Sequence, residues 1–78
     1  MKKSEKIYED LRFRLADNLS RLRVSHRLTQ LQLGKASGLH WRHVQKIEAG
    51  NVNVTLVTIA RLANGLEVDP LELVSAAA

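Results

Sequence analysis

Four side chains within six consecutive residues are suited to reading the edge of a nucleic-acid base: Trp41, Arg42, Gln45 and Lys46. Arginine and lysine donate to the O6 and N7 acceptors of guanine, and glutamine matches the donor and acceptor of adenine. An indole suits a thymine methyl or a sugar. Helical projection at about 100° per residue, with Val44 at zero, puts Ile47, His40 and Glu48 within about 60° of it, on an inward side. Arg42 lies near the opposite pole, with Lys46 and Gln45 beside it and Trp41 on the shoulder.

Other chemistries find little support. His40 and His43 stand three apart on the same segment and could ligate a metal, but no third ligand is evident and no metal-site carboxylates lie nearby. No grouping of nucleophile, base and orienting acid is visible, and there is no glycine-rich phosphate loop. The expectation is therefore a protein that is not an enzyme, with no metal and no cofactor.

Those residues need elements to hold them. From Glu5 to Arg27 apolar residues recur at Ile7, Tyr8, Leu11, Leu15, Leu19 and Leu22, the spacing of one stripe on a long amphipathic helix. Thr29 is a good N-cap for a short second helix carrying Gln30, Leu31, Leu33 and Ala36, which Gly38 can end in a left-handed turn. A third helix then runs from about His40 to Ala49 and closes at Gly50. Asn51, Val52 and Asn53 form a polar loop, and Thr55 caps a fourth helix buried through Leu56, Ile59, Leu62 and Ala63 and terminated by Asn64 and Gly65. Asp69, Pro70 and Glu72 read as an N-cap, a first-turn proline and a capping-box acid for a short fifth helix. No segment sustains the alternation of a half-buried strand, so the expected fold is all-α with five helices.

The 78 residues amount to one domain with a small core, and 45% hydrophobic with 26% charged residues is the balance of a chain that folds. No apolar stretch approaches the roughly 18 residues needed to cross a bilayer, and Met1 to Lys6 leads into no signal-peptide core. Zero cysteines exclude a disulfide scaffold and suit a reducing compartment, so the expected location is cytoplasmic. The net charge of +4 is unevenly placed. Between Asp17 and Glu48 stand Arg21, Arg23, Arg27, Lys35, Arg42 and Lys46 with three histidines and no acid. A cationic block of this kind is the electrostatic footprint of a nucleic-acid face, although such a run can also be a solvated surface.

A capped helix, a glycine turn and a second short helix make a helix-turn-helix, which offers its second helix to the major groove. With Thr29 and Gln30 opening the second helix, Gly38 in the turn, and the run Val44, Gln45, Lys46, Ile47, Glu48, Ala49, Gly50, the chain resembles the repressor and Cro-like helix-turn-helix proteins, the Xre family. The resemblance covers roughly residues 15 to 74, through the Leu56 to Leu66 helix and the Val68 to Leu73 segment. The Gly65, Leu66, Glu67, Val68 segment and the short length also look like the small controller proteins of restriction-modification systems.

The resemblance implies a five-helix lambda-repressor-like DNA-binding domain over residues 15–74, preceded by an extension of the first helix over 1–14 and followed by a frayed tail over 75–78. It implies a homodimeric transcriptional regulator on double-stranded DNA, with no membrane. Trp41, Arg42, Gln45 and Lys46 take the base-reading positions. Gln30, which in the family touches a phosphate and braces the start of the third helix, joins His43, Asn51 and Asn53 as a phosphate contact. Arg23 and Glu48 match a partly buried salt bridge, and the inward projection of Glu48 independently calls for a basic partner. Leu66, Val68, Leu71 and Val74 are the expected dimer contacts. A protein partner grasping the N-terminal segment, as with an antitoxin, is the alternative.

Three positions depart from the family pattern. Gly34 replaces the usual alanine where the second helix packs on the third, at a helix-propensity cost of about 1 kcal/mol. Glu67 stands where relatives often have glycine. Tyr8 and Phe13 lie in the extension, where they could enlarge the core, meet a partner or remain solvated.

Overall fold

Leucines three and four residues apart build the longest element. α1 (Lys3–Ser25) is unbroken, in a computed structural model that describes residues 3–76. Its stripe is buried only from Leu15 onward: Leu15, Ala16, Leu19 and Leu22 are at most 6% exposed, whereas Ile7, Tyr8, Leu11 and Phe13 are between 42% and 57% exposed. The N-terminal half of α1 thus projects past the core. The Arg12 guanidinium lies over both the Tyr8 and Phe13 rings, at 5.0 and 5.5 Å, and the Phe13 ring covers Gly50. Met1 and Lys2, included in the expected extension, lie outside the described residues.

α1 stops at Ser25, two residues earlier than the sequence pattern suggests, because Arg27 turns left-handed with φ 57°. The Leu28 N–H then donates to the Arg23 carbonyl at 3.1 Å, closing the helix end. Thr29 caps α2 (Gln30–Ser37) through a reciprocal box: its hydroxyl accepts from Gln32 N–H at 3.0 Å, and Gln32 Oε1 accepts from Thr29 N–H at 2.9 Å. Gly38, at φ 69°, ends α2 and lets the chain turn into α3 (Trp41–Glu48).

Thr55 caps α4 (Leu56–Leu66) by accepting from Thr58 N–H at 3.1 Å. The sequence pattern ended this helix at Asn64 and Gly65, but it continues through both. Gly65 serves packing, since a Cβ there would strike the Ser37 side chain and the Ala36 backbone of α2. The left-handed residue is instead Glu67, at φ 58°.

α5 (Leu71–Val74) follows. Asp69 Oδ1 accepts from Leu71 N–H at 2.9 Å and Glu72 Oε2 from Asp69 N–H at 3.2 Å, the expected reciprocal cap with Pro70 in the first turn. The core joins Leu15, Leu19 and Leu22 to Leu33, Val44, Ile47, Leu62, Ala63, Leu66 and Leu73, so every helix contributes. The described residues form five helices and no strand. No helix among them is long and apolar enough to cross a membrane.

Ser75 differs from the frayed tail expected of residues 75–78. Buried Asn18 donates its two amide hydrogens to the carbonyls of Leu73 at 3.0 Å and Ser75 at 2.8 Å, which fastens the end of α5 to α1. Residues 77–78 of that tail lie outside the described residues.

Candidate nucleic-acid interface

α3 owes its position to a backbone-to-backbone approach. A Cβ on Gly34 would stand 2.6 Å from the Leu39 carbonyl oxygen and 3.2 Å from the Trp41 nitrogen. Only a residue without a side chain lets α2 sit this close to the start of α3. Val44 and Ile47, at 0% and 2% exposure, root the helix in the core.

That anchoring turns Arg42, Gln45 and Lys46 to solvent, as the projection required, and leaves Trp41 half-buried on the flank. The Arg42 guanidinium rests over the Trp41 ring at 5.4 Å. His40 departs from its inward projection. It is exposed because it precedes the helix as the N-cap, with extended backbone and Nδ1 accepting from Arg42 N–H at 3.1 Å. Its ring stacks on Trp41, with centroids 5.9 Å apart. His43 is half-buried.

The far end of α3 is braced by charge. Arg23 Nε donates to Glu48 Oε2 at 2.6 Å and a terminal nitrogen donates to Oε1 at 3.1 Å, while the other terminal nitrogen donates to the Leu28 carbonyl at 2.7 Å. The two side chains are 17% and 8% exposed. The hydrogen bond to Glu48 raises the Arg23 pKa above its ordinary value, with the carboxylate's charge adding to it and burial opposing both.

Gln30 joins this bridge, its amide nitrogen donating to Glu48 Oε1 at 3.4 Å. Its side chain therefore meets the C-terminal end of α3, not the start expected from the family, because Glu48 swings inward beside the opening of α2. Arg21, Arg27, Lys35, Arg42 and Lys46 remain exposed, so the cationic block keeps most of its charge at the surface after Arg23 is used inside.

Gly50, at φ 75°, reverses the chain after α3 and presents Asn51 and Asn53, both exposed. Of the four expected dimer contacts, Leu71 is 69% exposed, and Val68 and Val74 are half-buried. Leu66 is a correction: at 1% exposure it belongs to the core, since α4 runs one residue past Gly65 and turns that leucine inward. Asn18 is a buried polar residue beyond those the motifs single out, and an asparagine one residue before Leu19 on the buried stripe of α1 is a legible sign of a polar group with a buried task.

Residues 19–73 match the helix-turn-helix family HTH_3. This chain belongs to that family. HTH_3 proteins are DNA-binding regulators and not enzymes. The HTH_3 chain is 35% identical over 66 residues to the HTH-type transcriptional regulator y4dJ of Sinorhizobium fredii, covering 85% of this chain and 86% of that protein. It is 37% identical over 59 residues to the control protein C.SmaI of Serratia marcescens, covering 76% and 70%. Among solved structures it is similar to the restriction-modification controller protein C.AhdI from Aeromonas hydrophila, with a TM-score of 0.77, 37% identity, and coverage of 80% of this chain and 94% of that one. The relatives thus fit both the Xre-like resemblance and its controller-protein branch.

Proposed function

We propose that this helix-turn-helix protein is a sequence-specific transcriptional regulator that binds a palindromic operator as a homodimer and controls its own gene. One α3 enters each of two successive major grooves, about one helical turn apart. The observation that carries the reading is the solvent-facing set Arg42, Gln45 and Lys46, flanked by Trp41, on a helix rooted by Val44 and Ile47. These four are the base readers; Gln30, His43, Asn51 and Asn53 contact phosphates and fix the register.

Residues 15–74 are the DNA-binding unit, with the earlier part of α1 as an extension of it. A domain this small makes few base contacts, so a second copy supplies much of the affinity and specificity. Leu71, with Val68 and Val74 beside it in the chain, supports a dimer contact through α5 and its preceding turn. The similarity to proteins named as controllers of restriction-modification systems favours autoregulation.

Fluorescence anisotropy tests the reading, with the pure protein titrated against the duplex upstream of its own gene and against a scrambled duplex over a salt series. Tight, cooperative binding to the upstream duplex and weak, steeply salt-dependent binding to the scramble are expected. Equal binding to both, or none, would overturn it and turn attention to a protein partner on the exposed apolar residues of α1.

A further inference from the structure

We propose that His40 is a further DNA-contacting residue, one that donates a hydrogen bond from Nε2 to an acceptor of the bound duplex. The inference rests on the DNA-binding reading above and adds to it a contact at the position just before the helix. A backbone N–H can only donate, so the bond from Arg42 N–H to His40 Nδ1 at 3.1 Å requires a lone pair on that nitrogen. A neutral imidazole with a bare Nδ1 carries its proton on Nε2. The cap therefore selects the tautomer and leaves a donor at the outer edge of an exposed ring.

Capping alone does not call for histidine. Serine, threonine, aspartate and asparagine cap better, and both other side-chain caps that open on a threonine here, at Thr29 and Thr55, follow that rule. What histidine adds is a ring. It stacks on Trp41 at 5.9 Å with the planes 27° apart, and Trp41 in turn carries the Arg42 guanidinium at 5.4 Å. Three consecutive side chains are thus held against one another at the end of α3 that a helix-turn-helix presents to base edges. An ordered ring with an outward N–H loses little freedom on making its contact, which is how a preorganised group contributes to affinity. The acceptor is a purine N7, a guanine O6, a thymine O4 or a phosphate oxygen, all of which take an N–H donor.

The test uses the full chain and a duplex that the wild-type protein selects from a randomised library. His40→Ser keeps a capping oxygen but has neither ring nor distal donor, and His40→Ala removes the cap as well. His40→Ser is expected to melt with the wild type yet bind the selected duplex about tenfold more weakly, the size of one lost hydrogen bond to DNA. Nitrogen-15 NMR of the imidazole is expected to show the proton on Nε2. Repeating the selection with His40→Ser separates the two sources of acceptor. Relaxed preference at one position of each half-site identifies a base edge; an equal loss on selected and scrambled duplexes identifies a phosphate. Wild-type affinity and preferences in His40→Ser, or a proton on Nδ1, would overturn the proposal and leave His40 as a cap alone. A wild-type chain that enriches no sequence and binds no duplex would remove the DNA-binding reading itself, an outcome distinguishable because it precedes any variant.

Discussion

Arg23 of α1 holds Glu48, 25 positions later at the end of α3, by two parallel N–H···O bonds of 2.6 and 3.1 Å. The Glu48 side chain is only 8% exposed, so breaking the pair leaves a buried polar partner without its match. Glu48→Gln is expected to lower stability by about 2–3 kcal/mol, somewhat below the cost of breaking a fully buried pair. Thermal denaturation of the two proteins measures it.

The same pair sets a pH expectation. Glu48 raises the Arg23 pKa, so the stability this arginine contributes is fully present below its unfolded pKa and is lost only as pH rises through the higher folded value. A wild-type minus Glu48→Gln stability difference that stays level from about pH 7 to about pH 10 is the expected result, read from melts across that range.

Gly34→Ala opposes helix propensity to packing. Propensity alone favours alanine by about 1 kcal/mol, but the new Cβ would stand 2.6 Å from a carbonyl oxygen of the backbone, which has no flexible end to move. A net loss of about 1–3 kcal/mol is expected, together with weaker DNA binding because α3 must shift outward. Stability gained without loss of affinity would show that α2 and α3 tolerate a wider spacing.

Base readers and phosphate contacts separate in a binding experiment. Arg42→Ala and Gln45→Ala are expected to lose about 1–3 kcal/mol on the preferred operator and to relax preference at single positions. Asn53→Ala is expected to weaken selected and scrambled duplexes alike. Anisotropy against both DNAs distinguishes the two patterns, and an Arg42→Ala protein with unchanged discrimination would remove it from the readers.

Glu67 occupies a left-handed conformation at φ 58°. The strain for a non-glycine residue is about 1–2 kcal/mol, and glycine returns roughly half of that by adding freedom to the unfolded chain. Glu67→Gly is expected to raise stability by up to about 1 kcal/mol, whereas Glu67→Val, β-branched at the same angle, lowers it. Urea denaturation at unchanged slope checks both.

Asn18 is 1% exposed and donates to two carbonyls at the end of α5. Replacing it with alanine leaves both carbonyls without that donor, and a loss of about 2–3 kcal/mol is expected. Hydrogen exchange should localise the loosening to α5, and if α5 forms the dimer contact, sedimentation will show weaker self-association in the same variant.

The helices and their order were legible because each rests on local chemistry: the leucine period of α1, the threonine caps of α2 and α4, the glycine turns at Gly38 and Gly50, and the acid and proline before α5. The outward row of α3 was legible for the same reason, since periodicity about Val44 and Ile47 decides which way Arg42, Gln45 and Lys46 face. Local chemistry does not contain the contacts between helices. Gly65 reads as a terminator until α2 is seen against it, and Leu66 reads as surface until α4 continues past that glycine. Gln30 reads as a brace for the start of α3, and only the packed structure brings Glu48, at the other end of that helix, to the opening of α2. A residue's own chain neighbours set its backbone conformation, but burial and polar partnership belong to pairs distant in sequence, and those are decided when the helices close on a common core.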